Sequence, residues 1–286
     1  MQQLKIIIEL TRLNKPIGYM LLFWPCAWGL AYANTFHENF NFFIQYLFLF
    51  FCGAVLMRSA GCIFNDIVDK DFDKKVKRTQ KRPIASGKIS LKQSFLYIII
   101  LCLLAFLILM QFNLFTIILG MSSMILAFSY PFMKRITYWP QLFLGITFNW
   151  GIIMAWASVN NNVNQDIIIL YLSAIFWTLG YDTIYGAQDI SDDEIIGLKS
   201  TSIKFKKNIN FFVGLMYLAN ITLITYLFTD SIGYNLFSLL FGLFIFSLFY
   251  QVFTFNKKNS ESCLEMFKIN NLSGLIFFIS ILTINN

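Results

Sequence analysis

Charge is scarce in this chain. Of its 286 residues only 13% are Asp, Glu, Lys or Arg, against roughly 25% in soluble globular domains. Hydrophobic residues make up 57% and aromatic residues 18%. A chain this long and this apolar cannot hide its surface inside one water-soluble core, so the bilayer is its natural solvent. Histidine is nearly absent: His37 is the only one, in a short loop with no partner in sequence, which reads as a solvated residue. The five cysteines, Cys26, Cys52, Cys62, Cys102 and Cys263, are scattered, mostly within apolar runs. No Cys-x-x-Cys pair or Cys/His cluster occurs, which argues against a zinc site or a disulfide framework and leaves small buried hydrophobes. No soluble domain and no low-complexity linker interrupts residues 1–286, which read as a single polytopic domain. The start, Met1 to Arg12, lacks a small-residue cleavage site, so the first span is expected to act as the insertion signal.

What is present is a series of apolar runs long enough, or nearly so, to cross a bilayer, for which about 20 residues suffice. They run from Pro16 to Asn34, Phe40 to Phe64, Leu91 to Met110, Phe112 to Tyr130, Pro140 to Val159, Ile167 to Ala187, Ile209 to Phe228, Ile232 to Phe255 and Ile269 to Ile284. The last is the shortest. The expected fold is therefore an all-α integral membrane protein of about nine transmembrane helices. Nine spans place the N-terminus, Asp66–Ser90, Pro131–Trp139, Ile190–Asn208 and Asn256–Lys268 on one side. Apart from Arg58, every Lys and Arg lies on that side or at its border; the opposite loops carry none. This accounts for the net charge of +7 by membrane topology rather than by binding to nucleic acid, and it points that side to the cytoplasm.

Two loops on the basic side begin with acidic clusters and continue with basic ones, which suggests a pseudo-repeat of helix pairs. In the first, Asp66, Asp69 and Asp73 fall at i, i+3 and i+7, one face of a helix. Like charges so placed repel unless a cation compensates, and Mg²⁺ prefers oxygen ligands shared between carboxylates and substrate phosphate. A solvated helix end is the plainer reading of this cluster taken alone. The second cluster favours a paired metal site: Asp182, Tyr185 and Asp189 repeat the spacing, Asp193 follows, and Asp182 lies deep in an apolar run. Arg78 and Arg82 flank the first cluster and suit bidentate phosphate contacts. Tyr130 and Lys134 share a helix face, and Lys199 follows the second cluster. Arg58 stands inside the second span, either snorkelling to the border or holding an anionic substrate group. Arg12, just before the first span, fits topology or the site.

These residues resemble the UbiA family of intramembrane aromatic prenyltransferases. The motif Asn65-Asp66-x-x-Asp69-x-x-x-Asp73, the pair Asp189-x-x-x-Asp193 and the element Tyr130-x-x-x-Lys134 carry the resemblance, which extends from about Arg12 to the last span. RLNKPIGYMLLFWP, MRSAGCIFNDIVDKDFDKKVKRTQKRPIASG and GYDTIYGAQDISDDEIIGLKST are similar to the branch acting on 4-hydroxybenzoate in ubiquinone synthesis. The resemblance implies helices around a central cavity open to membrane lipid, and Mg²⁺ bridging Asp66, Asp69, Asp189 and Asp193 to a polyprenyl diphosphate. It implies attack on the resulting allylic cation by carbon 3 of 4-hydroxybenzoate, in a bacterial inner membrane with the site facing the cytoplasm. Another acceptor (dihydroxynaphthoate, homogentisate or haem) is the alternative within the family. A secondary transporter is the alternative outside it.

Overall fold

The computed structural model describes residues 2–37, 40–76 and 79–284. Among them the regular structure is helical, with one 3-10 turn at Thr229–Ser231 and the α-helices in the order α1 (Gln2–Thr11), α2 (Ile17–His37), α3 (Phe40–Val68), α4 (Lys70–Asp73), α5 (Leu91–Leu109), α6 (Leu114–Ile136) and α7 (Pro140–Asn160). There follow α8 (Gln165–Ala187), α9 (Ile190–Ile195), α10 (Thr201–Lys204), α11 (Ile209–Leu227), α12 (Leu236–Thr254) and α13 (Ser260–Leu282). Nine of these have 19 to 29 residues, matching the nine expected runs in order.

Eight of the long helices are apolar enough to cross a membrane by composition. The other, α2, is 21 residues long without an Asp, Glu, Lys or Arg, but Trp, Tyr and Pro residues dilute its hydropathy. It needs less lipid-like character because it is enclosed by protein: Ala27, Trp28, Ala31 and Ala33 are fully buried. Beside it Gly29 lies so close to the carbonyl of Ile152 in α7 that an added Cβ would stand 2.4 Å from that oxygen. Such close approach is how helices associate where lipid gives no hydrophobic drive. At the periphery, α5 shows Leu96, Ile99, Leu103 and Leu107 more than half exposed, a face for hydrocarbon.

Helix starts are set by local chemistry. Ser90 and Gln93 form a capping box on α5, while Asn113, Asn164, Asn235 and Asn259 accept first-turn backbone N–H groups of α6, α8, α12 and α13. The last helix departs most from expectation. It begins at Ser260, nine residues before Ile269, because SESCLEMFK is amphipathic and buries Cys263, Met266 and Phe267 against the bundle. Hydropathy ends a span where charge begins; the helix itself continues.

Candidate active site

The site begins in the last turn of α3, which presents Asn65 and Asp66. The helix is interrupted at Asp69 (φ −92°, ψ 4°) and resumes as α4. Backbone bonds from Asp69 N to Asn65 O (2.9 Å) and from Asp73 N to Asp69 O (2.8 Å) carry the helical pattern across the break. The expected common face therefore survives, and all three aspartates are buried.

Buried carboxylates persist only when compensated. Here the cations come from three separate segments. Arg12 Nη2 donates to Asp66 Oδ1 at 2.5 Å, and Arg82 Nη1 donates to Asp66 Oδ1 at 3.1 Å and Asp73 Oδ2 at 2.8 Å. Lys134 pairs with Asp69 Oδ2, and Arg135 Nη2 reaches Asp69 Oδ1 at 3.3 Å and the Val68 carbonyl at 2.7 Å. Burial pushes the Asp73 carboxyl above the ordinary carboxylate range, against the pull of Arg82. Arg12 is held in the left-handed region (φ 56°), where a side chain is strained, at the end of α1. Arg82 arrives on a loop anchored by Ile84, which is buried with Leu10 of α1 and Ala60, Ile63 and Ile98.

The second cluster repeats this construction. Asp182 and Tyr185 belong to α8, the chain breaks at Asp189 (φ −110°, ψ 6°), and α9 follows with Asp193, whose N–H donates to Asp189 O at 2.9 Å. The matched break at Asp69 and Asp189 gives the expected pseudo-repeat a backbone form.

A cavity of about 1390 Å³ lies between the clusters. Arg12, Asn65, Asp66, Arg82 and Lys134 line its head, with Arg58, Tyr130, Asp182 and Tyr185 below. A trough of apolar side chains from α5 and α6, including Phe106, Leu109 and Met124, continues from it. Arg58 differs from the other cations. It makes no ion pair with a described residue, and its guanidinium lies 5.2 Å from the centre of the Phe148 ring. Gly18 makes room for it, since a Cβ there would meet Arg58 Nε at 3.0 Å.

Asp69, Asp73, Asp189 and Asp193 are not among the cavity-lining residues, although Gln188, next to Asp189, is. The structure does not bring Lys199 to the cavity either. Its Nζ donates to the Ile136 carbonyl at 3.2 Å and sits over Tyr138, while its backbone N–H donates to Lys134 O at 2.8 Å, so it braces the end of α6. Arg78 lies outside the described residues. Arg135 is the residue that sequence reasoning missed; its one signal is its place beside Lys134, which a topological charge would share.

The donor set fits a hard divalent ion shared with phosphate. Asp66, Asp69 and Asp73 offer carboxylate oxygens, and among the described residues no three Asp, Glu, His or Cys side chains converge into a cage of their own. That suits Mg²⁺, which takes one or two carboxylates and fills its shell with substrate phosphate and water.

Comparison with known proteins agrees with this geometry. The profile of the UbiA prenyltransferase family matches residues 22–281. The mitochondrial 4-hydroxybenzoate polyprenyltransferase of Rattus norvegicus is 40% identical over 279 residues, 96% of this chain and 73% of the rat protein. The protein of that name from Homo sapiens is 40% identical over 276 residues, 96% of this chain and 74% of its own length. The one from Arabidopsis thaliana is 48% identical over 201 residues, 70% of this chain but only 49% of the plant protein, so the match spans about half its length. In fold, the chain is similar to the apo structure of a UbiA homolog from Aeropyrum pernix K1 (TM-score 0.77, 22% identity, covering 93% of this chain and 98% of that one). It is also similar to a UbiA homolog from Archaeoglobus fulgidus bound to GPP and Mg²⁺ (TM-score 0.70, 16% identity, 97% and 99% covered). Two aspartate clusters built alike, a cavity with a cationic head and an apolar trough, and a family profile spanning nearly the whole chain lead to one assignment: this protein belongs to the UbiA prenyltransferase family.

Proposed function

We propose that the protein transfers a polyprenyl chain from polyprenyl diphosphate to carbon 3 of 4-hydroxybenzoate, in the ubiquinone pathway, with Mg²⁺. The observation that carries this reading is the division of the cavity. Its head gathers cations already poised on buried carboxylates, its trough is apolar, and between them stands Arg58 without an ion-pair partner among the described residues. The relatives named above supply the acceptor.

Asp66, Asp69, Asp189 and Asp193 would hold Mg²⁺, which when bound neutralises charge on the departing diphosphate. Arg12, Arg82 and Lys134 now spend their donors on Asp66, Asp73 and Asp69. A diphosphate at the cavity head offers them oxygens of greater charge, and their attraction rises as the allylic C–O bond breaks and its electron pair leaves with oxygen. The trough takes the prenyl chain and excludes water from the cation. The rings of Tyr130 and Tyr185 line the same space, and aromatic rings favour positive charge over their faces. Arg58 holds the acceptor carboxylate. Asn65, seven positions further along α3 beside the aspartate cluster, lies a rise of about 10.5 Å away, which leaves room for a benzoate ring between the carboxylate and the diphosphate. Carbon 3 then attacks the cation and loses its proton.

The basic loops share the side of the aspartate clusters, which supports a site facing the side where lysine and arginine are retained during insertion, the cytoplasm for a cell membrane. The test is purified protein in lipid with Mg²⁺, mixed polyprenyl diphosphates and equimolar 4-hydroxybenzoate, dihydroxynaphthoate and homogentisate, read by product mass. Prenylated 4-hydroxybenzoate should dominate. Preference for another acceptor overturns the acceptor assignment, and solute flux without any prenylated product overturns the enzyme.

A further inference from the structure

Away from the cavity, the outer faces of α11 and α12 enclose a groove of about 460 Å³, lined by Phe211, Gly214 and Leu218 on one side and Phe249 and Phe253 on the other. A Cβ on Gly214 would meet only Val252, at an ordinary 3.7 Å, so a side chain has room at this position and the groove is open for want of one. Phe211 and Phe253 are 69% and 83% exposed, so the groove faces the hydrocarbon of the bilayer. It sits where α11 begins and α12 ends, and this end is charged. Lys206 and Lys207 precede α11, and Lys257 and Lys258 follow α12. Lys257 Nζ donates to the carbonyls of Lys206 (2.7 Å) and Lys207 (3.4 Å), which draws the two lysine pairs together. Asn210 Nδ2 donates to the carbonyls of Val252 (3.1 Å) and Phe255 (3.3 Å) and fixes the two helix ends beneath them. Lys206 is engaged by Glu194 at 2.7 Å; Lys207 and Lys258 are exposed.

An occupant of this groove must be apolar along its length and anionic at one end. We propose that it binds an anionic phospholipid, one acyl chain lying across Gly214 and the phosphate beside Lys207, Lys257 and Lys258. Each basic residue near an anionic headgroup favours its retention by roughly five-fold, so three of them suffice for selection over a zwitterionic lipid of the same chains.

The test is native mass spectrometry of the full chain in detergent, titrated with phosphatidylglycerol or phosphatidylcholine carrying identical acyl chains. Phosphatidylglycerol should be retained at least about tenfold better. The variant K207Q/K257Q/K258Q should lose that preference while still binding phosphatidylcholine, and Gly214→Leu, which fills the groove, should reduce retention of both. The proposal is overturned by equal retention of the two lipids, preference unchanged in the lysine variant, retention unchanged in Gly214→Leu (which places the lipid in the central cavity instead), or a lipid-free dimer as the dominant species. Displacement of the lipid by millimolar inorganic phosphate also overturns it, because the site then recognises phosphate without the chain.

Discussion

At the scale of single residues, the site is a set of cations in two conditions. Arg12, Arg82, Lys134 and Arg135 are committed to buried aspartates, whereas Arg58 faces the cavity with an aromatic ring and no described ion-pair partner. If Arg58 holds the acceptor carboxylate, Arg58→Lys loses the bidentate fork and should raise the KM for 4-hydroxybenzoate about tenfold, with little change in the KM for the prenyl diphosphate. Steady-state kinetics with each substrate varied in turn read the difference; an unchanged acceptor KM would sink the assignment. Arg12 carries a second prediction, because its backbone and its charge can be separated. At φ 56° glycine sits without the penalty that alanine bears. Arg12→Gly and Arg12→Ala should lose activity alike, about a hundredfold, while the glycine variant unfolds later by about 1 kcal/mol. Equal stability would mean that the left-handed backbone at this position does not matter; retained activity would remove Arg12 from phosphate binding. Much of this set was legible in sequence because an arginine inside an apolar run, or a Lys one turn beyond a Tyr, is conspicuous. Lys199 and Arg135 were not, since a basic residue at a membrane border looks the same whether it reaches an aspartate, as Arg135 does, or a helix-end carbonyl, as Lys199 does.

At the scale of elements, the recurring unit is a long helix that breaks at an aspartate and restarts as one short turn. It occurs as α3–Asp69–α4 and as α8–Asp189–α9, with similar dihedrals at each break. The periodicity i, i+3, i+7 predicted the shared face of the first cluster but not the interruptions: Asp69 N still donates to Asn65 O across its break, whereas Asp189 N donates to Gly186 O at 3.2 Å, a tightened turn. The two units bring Asp66 and Asp182 to one cavity, and a metal drawing on both clusters would give the repeat its purpose. Asp66→Asn, Asp69→Asn, Asp189→Asn and Asp193→Asn should each lower Mg²⁺-dependent turnover at least about a hundredfold and leave the inserted, folded protein intact. Wild-type-like turnover in Asp69→Asn or Asp189→Asn across a Mg²⁺ titration would falsify the bridging role. Helix ends were the least legible feature. The interior of each span announces itself by hydropathy, but α3 runs on to Val68, α6 to Ile136 through Pro131, and α13 starts among charged residues. In all three the extra turns carry charged residues among apolar ones and pack near the site, where hydropathy and helicity part company.

At the scale of the whole molecule, one asymmetry organises everything else. Both helix–aspartate–helix units, the cations that meet them and the lysines beside the α11–α12 groove lie at one end of the bundle. The other end offers loops such as Asn161–Asn164 without a lysine or arginine. This follows from alternation: α3, α6 and α8 each finish at the same end, and α11 begins there. An odd error in the number of crossings would send Asp69 and Asp189 to opposite faces, and the cavity lined by Asp66 and Asp182 could not lie between the two clusters. Orientation in the membrane is a separate matter, fixed by where lysine and arginine remain during insertion. In a background with the five cysteines replaced, single cysteines at Lys75, after α4, and at Val163, between α7 and α8, should therefore label from opposite sides of intact vesicles. Lys75 should react from the side of the aspartate clusters and Val163 from the other, since both side chains are exposed. Labelling of both from one side would break the alternation. Lys75 reacting only from the outer face of a right-side-out bacterial vesicle would keep the bundle and invert it, placing the site away from the cytoplasm.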